Sequence, residues 1–226
     1  MADFTFSHRE EGFDNHIEHS IRGYNNLSCD IINMSRYFVE DNTNVVDIGC
    51  STGKTLAAMI EQNGEFAPLA NYVGIENADG FADDMKARME AYPVGLDLRF
   101  EDIREYAFSN CSLVTSIFTL QFMPRKDRRA VIQRIYDGLN DGGAFIFAEK
   151  TVAENSRMQE MLTFSFYDHK REHFTAEDIM EKEVTLRNML KPNTYAELVC
   201  MIRDAGFTSI QTFWQNHLFI GAIALK

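Results

Sequence analysis

The stretch Asn44-Val45-Val46-Asp47-Ile48-Gly49-Cys50-Ser51-Thr52-Gly53-Lys54-Thr55 constrains this chain more than any other. An apolar run with β character meets an acid, then a glycine turn, then residues that begin a helix near Gly53. Gly49 permits a backbone turn that a side chain would obstruct, and Gly53 lets the following helix pack close. Free N–H groups at a helix start suit a polar or anionic ligand. Further on, Tyr72-Val73-Gly74-Ile75-Glu76 reads as a second strand that ends in a carboxylate. An acid at that strand tip suits a ribose diol. The pattern predicts a nucleoside-binding βαβ unit.

The nucleoside is not a dinucleotide, because no glycine stands two places after Gly49 as the G-x-G-x-x-G fingerprint requires. Asp47 would repel a pyrophosphate and would welcome an ammonium group or a water beside a cationic ligand. The spacing from Gly49 to Lys54 also misses the phosphate-cradling G-x-x-x-x-G-K-[ST] pattern. A net charge of −12 argues against a broad nucleic-acid or anionic-membrane footprint. Direct nucleic-acid binding would need a local patch such as Arg125-Lys126-Asp127-Arg128-Arg129, which reads as the solvated start of a helix. The strand–turn–helix resembles motif I of class I S-adenosylmethionine (SAM) methyltransferases.

At 226 residues and 45% hydrophobic content, the chain fits one domain with a substantial core. No apolar run is long enough to span a bilayer, and Met1-Ala2-Asp3-Phe4 lacks the features of a signal peptide. Cys29, Cys50, Cys111 and Cys200 are far apart and form no C-x-x-C, so thiols in a reducing cytoplasm are expected. Residues 1–40 are expected to form an N-terminal helical cap. Its polar residues 1–23 lead through a turn at 21–26 into a helix from Leu27 to Phe38 that covers the cofactor mouth. His16 and His19, and His169 and His173, have helical spacing, but a metal needs further ligands that the neighbouring sequence does not supply, so no metal is expected.

Helices are predicted over 55–62, 79–91 (stopped by Pro93), 125–139, 155–170, 175–190 and 194–205. Strands are predicted over 96–100, 113–118 and 144–149. The run Asn140-Asp141-Gly142-Gly143 is a helix stop, and Asp102, just after the third strand, is placed to accept from an adenine amine. Residues 151–191 break the alternation and form a helical insert, a lid or a subunit contact. Ile210–Gln215 and Leu218–Leu225 form a terminal antiparallel hairpin. The fold class is α/β, a Rossmann-like class I SAM methyltransferase fold. Its mostly parallel seven-stranded sheet makes residues 1–226 one domain.

Several stretches together resemble the carboxy-S-adenosyl-L-methionine (carboxy-SAM) synthases over nearly the whole chain. They include Gly23-Tyr24-Asn25, Asp47-Ile48-Gly49-Cys50-Ser51, Asp102-Ile103-Arg104, Phe118-Thr119-Leu120-Gln121-Phe122, Glu149-Lys150 and Asp168-His169-Lys170-Arg171. The resemblance implies conversion of SAM to carboxy-SAM with prephenate as carboxyl donor, for modification of the tRNA wobble uridine. It implies that Tyr24, Gly49, Cys50, Ser51, Glu76, Asn77, Asp102 and Ile103 line the cofactor site, with Asp47 and Gly53 contributed by the motif itself. It also implies a homodimer.

Three positions depart from the family pattern. Glu76-Asn77 replaces Asp-Asn, a swap that still serves a ribose diol. Ile117 replaces an asparagine, so one polar contact is lost or passes to backbone. Glu183 replaces the arginine that holds the new carboxylate across a dimer. A glutamate there repels carboxylates and attracts a sulfonium, so Arg22 or Arg187 is the candidate replacement anchor. Arg22, Tyr24 and Glu183 are the catalytic candidates. Three readings stay open: a carboxy-SAM synthase, a SAM-dependent methyltransferase in which Tyr24 and Glu183 orient or deprotonate an acceptor, and a non-catalytic SAM-binding subunit.

Overall fold

The computed structural model describes residues 12–92 and 95–226. Pro93 and the first eleven residues of the expected cap lie outside the described residues. The element order is α1 (Phe13–Ser20), α2 (Tyr24–Ser35), β1 (Asn44–Ile48), α3 (Lys54–Asn63), β2 (Asn71–Glu76), α4 (Ala82–Met89), β3 (Leu96–Phe100), β4 (Cys111–Ile117), α5 (Arg125–Gly138), β5 (Leu139–Val152), α6 (Ser156–Lys170), α7 (Ala176–Met189), β6 (Asn193–Thr194), α8 (Tyr195–Asp204), β7 (Ser209–Asn216) and β8 (Phe219–Leu225).

The strands form one sheet in the order β3-β2-β1-β4-β5-β8-β7. The first five are parallel, while β8 runs antiparallel to β5 and to β7. β1 is joined to β2 through α3, β2 to β3 through α4 and β4 to β5 through α5, which places helices on the sheet faces. Strand alternation divides the core in two. Val46, Ile48, Val114, Phe145 and Phe147 face α5 and α8. Val45, Leu113, Ala144, Ile146 and Ala148 face α2, α3 and α4. By the same parity Asp47 and Lys150 fall on the second face, and Glu149 on the first.

The expected strands are all present, with two differences in extent. α5 ends at Gly138, one residue before the expected end, and β5 begins at Leu139, so the Asn140–Gly143 run lies within a strand. The pairing with β4 jumps from Cys111↔Leu139 to Leu113↔Ala144, and the glycines absorb that irregularity. The two residues Asn193–Thr194 add a short strand beside Thr151–Val152, giving eight strands where seven are expected.

The basic run at the start of α5 is not wholly solvated. Arg128 is fully buried, with Nε and Nη2 donating to the Met123 carbonyl at 3.1 and 2.7 Å. Its Nη2 also donates to the Gln121 carbonyl and its Nη1 to Asn193 Oδ1. Backbone carbonyls in the turn before α5 replace the water that an exposed guanidinium would have.

The helices of the cap begin earlier than the predicted 27–38 helix. Gly12 and Gly23, at φ 74 and 78°, stand before α1 and α2 respectively. α1 places Phe13 and Ile17 one turn apart on its inner side, where Phe13 meets Phe81 with ring centroids 4.9 Å apart and Ile17 packs on the second core. The sequence expectation gave the mouth to a 27–38 helix, but α1 takes that place, and only the N-terminal turn of α2 reaches the site.

Candidate active site

One cavity of about 690 Å³ opens at the carboxyl ends of β1 to β5. Open α/β sheets place ligands there, and the volume suits a nucleoside-sized ligand. Its floor is the β1 turn. The Gly49 and Cys50 N–H groups donate to the Ile75 carbonyl, at 2.7 and 3.2 Å. Gly49 has φ +68°, and a Cβ there would lie 2.2 Å from Thr119 Oγ1. That hydroxyl donates to the Ile48 carbonyl at 3.0 Å. The tips of β1 and β4 are therefore packed together with no room for a side chain.

Glu76 organises the neighbouring strand tip. Its Oε2 accepts from Ser51 N–H at 2.9 Å, and its Oε1 accepts from Asn77 and Ala78 N–H at 2.9 and 2.8 Å. Burial raises its pKa against the pull of those donors. Each carboxylate oxygen accepts about two hydrogen bonds, so Oε2 retains capacity for a ribose hydroxyl. Asn77 lies at the exposed rim. Asp102 and Ile103 line the wall beyond β3. Arg104 grips both Asp102 oxygens, at 2.6 to 3.0 Å, and lowers the Asp102 pKa. Asp102 stays a carboxylate, and its remaining acceptor capacity suits an exocyclic amine.

Asp47 is buried beneath the turn and accepts from Thr115 Oγ1 at 2.6 Å. Burial raises its pKa to about 7. Cys50 is buried with its sulfur 3.1 Å from Met85 Sδ, and burial holds the thiol well above its ordinary pKa. It is a packing thiol, not a nucleophile. Tyr24 is buried beside Phe118, with ring centroids 6.3 Å apart. Burial, reinforced by Asp14, Asp47 and Glu18, raises its pKa strongly. Its phenol can donate a hydrogen bond but is a poor base. Ile117 lines the same wall. Gly53 does not line the cavity: its φ is +75°, and a Cβ would meet Met89 Cε at 2.6 Å. It lets α3 and α4 approach each other.

Glu183 also lines the cavity, and it has a partner. Lys170 Nζ lies 3.4 Å from Glu183 Oε1, with side-chain exposures of 4% and 18%. Arg22 and Arg187 are exposed and do not line the cavity. Arg22 lies near His169 and His217, whose pKa values are lowered chiefly by burial.

Other contributors are not evident in the sequence. α1 straps the mouth: Asp14 accepts from Thr52 Oγ1 and Arg88 Nη2, and Glu18 pairs with Lys54. His16 bonds to Ser20 and to Lys182 of α7. The helix is only eight residues long, and its polar partners lie far away in the sequence. Phe166 and Phe219 line the cavity beyond Phe118, with Phe118–Phe219 and Phe166–Phe219 centroids 5.5 and 5.2 Å apart. Glu149 is buried on the far face, and burial raises its pKa to about 8.

The strand order, the glycine turn and the acid at the tip of β2 together define a SAM-dependent transferase with the class I methyltransferase fold. The methyltransferase-domain profile matches residues 45–143. The solved SAM-dependent methyltransferase SibL, in its apo form, superposes with a TM-score of 0.59 at 11% identity, covering 95% of this chain and 56% of that one. The carboxy-SAM synthase of Staphylococcus epidermidis is 36% identical over 95% of this chain and 92% of its own length. That of Haemophilus ducreyi is 32% identical over 100% of this chain and 93% of its own. The chain belongs to the carboxy-SAM synthase family.

Proposed function

We propose that the enzyme makes carboxy-SAM from SAM with prephenate as the carboxyl donor, and that the product serves tRNA wobble-uridine modification. The observation that carries this reading is the Lys170–Glu183 pair. A lone glutamate at the family's arginine position would oppose any carboxylate in the cavity, whereas here a buried ammonium offsets it. When bound, SAM would supply a sulfonium-acidified methyl carbon, which gives up a proton and bonds to the carboxyl carbon that prephenate releases, while the donor's ring hydroxyl leaves with that proton as water and its ring becomes aromatic.

The chain's own residues position that ligand. Strand order sets its direction. Asp102 beyond β3 takes the adenine, Glu76 at β2 takes the ribose, and the β1–β4 end takes the methionine part. Asp47 beneath that end suits an ammonium. Tyr24 donates a hydrogen bond near the reacting end, and Phe118, Phe166 and Phe219 exclude water from it. Charge development there is then governed by fixed groups and not by solvent.

The exposed apolar side chains of the insert support a homodimer. Met158, Met161 and Phe164 on α6, and Met180 and Val184 on α7, are each more than half exposed. The four free cysteines fit a cytoplasmic enzyme. A second reading, methyl transfer from unmodified SAM, is favoured by the presence of Glu183 itself in the cavity. Incubation with SAM and prephenate separates the two. Carboxy-SAM formation supports the first, and its absence, with methylation of an acceptor panel, supports the second.

A further inference from the structure

We infer that Lys150 is the residue that holds the ligand carboxylate, a place that the family pattern gives to an arginine of the insert. The inference rests on the carboxy-SAM reading above and names the group that makes it work within one chain.

Lys150 stands near the end of β5, on the face shared with Ala144, Ile146 and Ala148, and it lines the cavity. Its backbone is fixed from both sides. It pairs with Phe219 of β8, and its N–H donates to Gln121 Oε1 at 2.7 Å. Its ammonium lies 5.6 Å from the Phe166 ring centroid and 5.8 Å from that of Phe219. Two aromatic faces attract the cation and hold it in place without neutralising it.

The other lysines of the cavity differ. Lys54 is paired with Glu18, Lys170 with Glu183, and Lys182 is bonded to His16 and Ser20. Among the described residues, no carboxylate lies within ion-pair distance of Lys150. A cation that lines a cavity without a counterion is an anion site. Its position fits the chemistry. The aromatic series Tyr24, Phe118, Phe219, Phe166 leads from the β1–β4 end of the cavity to this ammonium. Lys170 lies 4.6 Å from the same Phe166 centroid. A carboxylate against Lys150 would therefore enter where two ammonium groups share one ring and Glu183 is already paired.

The test compares binding of carboxy-SAM and SAM to the native enzyme, Lys150→Met and Lys150→Arg by calorimetry. Lys150→Met should weaken carboxy-SAM about 10- to 100-fold, the range for loss of a charged hydrogen-bond partner. It should leave SAM unchanged or slightly tighter, because a cation near the sulfonium is removed. Lys150→Arg should keep most of the preference. SAM binding reports that each variant is folded, so a general structural defect, which would weaken both ligands, is distinguishable. If the native enzyme prefers carboxy-SAM and Lys150→Met retains that preference, this inference fails alone. If the native enzyme shows no preference, the carboxy-SAM reading fails and takes the inference with it.

Discussion

Lys170 Nζ stands 3.4 Å from Glu183 Oε1, so the charge that departs most from the family pattern is answered from the neighbouring insert helix. Lys170 closes α6 and Glu183 lies within α7, which makes the pair a clamp between the two insert helices as well as an electrostatic correction. Breaking one side of such a pair leaves the other charge buried. Lys170→Met should cost about 3 kcal/mol in unfolding free energy and should weaken carboxy-SAM more than SAM. Adding Glu183→Leu to it should restore most of the stability. Denaturant melts of the single and double variants check this, and a double variant no more stable than the single one would contradict it.

Gly49→Ala tests the junction of β1 and β4. The added methyl would meet Thr119 Oγ1 at 2.2 Å and Cγ2 at 2.5 Å, on a backbone with φ +68°. Left-handed strain of this kind costs about 1–3 kcal/mol, and the clash adds to it. The variant should melt lower and bind SAM at least about tenfold more weakly. Calorimetry and a thermal melt measure both effects.

The buried Asp47 predicts a pH dependence with a definite sign. Its folded pKa, about 7, lies above the ordinary carboxylate value. The folded state therefore keeps a proton that the unfolded chain gives up above about pH 4. Its contribution to stability is fully present at low pH and is lost as pH rises through about 7. Binding of a cationic ligand runs the other way, since it favours the ionised form, so SAM affinity should rise between about pH 6 and pH 8. Asp47→Asn should flatten that rise. Glu149, raised to about 8 mainly by burial, will keep part of the stability slope in this variant, which is why the binding profile is the cleaner measurement.

The apolar stripe on the insert makes a prediction about assembly. Met158, Met161 and Phe164 are spaced three apart on α6, hence on one side of the helix. Sedimentation at micromolar concentration should show a dimer. Met161→Lys combined with Phe164→Lys should shift it towards monomer. A native monomer would remove the support for the homodimer.

The sheet was readable because its strands are apolar runs punctuated by glycine turns, and each turn sits where backbone geometry demands it. Gly49, Glu76 and Asp102 follow from that logic, since each caps a strand at the same edge. The cap was not readable. α1 is only eight residues long, and its partners Thr52, Lys54, Arg88 and Lys182 are distant in sequence. Arg128 was misjudged because a charge in a basic run usually meets water, whereas here the Gln121 and Met123 carbonyls replace it. Lys170 and Lys150 stood inside stretches that carried the family resemblance, but the pairing of one and the freedom of the other depend on α6 folding over β5 and β8. Residue type alone carries no sign of that.

The most direct test is mass spectrometry of the small molecules released when the purified native enzyme is denatured. The account predicts carboxy-SAM in the extract, retained because Lys170 offsets Glu183 and the cavity accepts a carboxylate. SAM or S-adenosylhomocysteine alone, with no carboxy-SAM formed after incubation with SAM and prephenate, would contradict it.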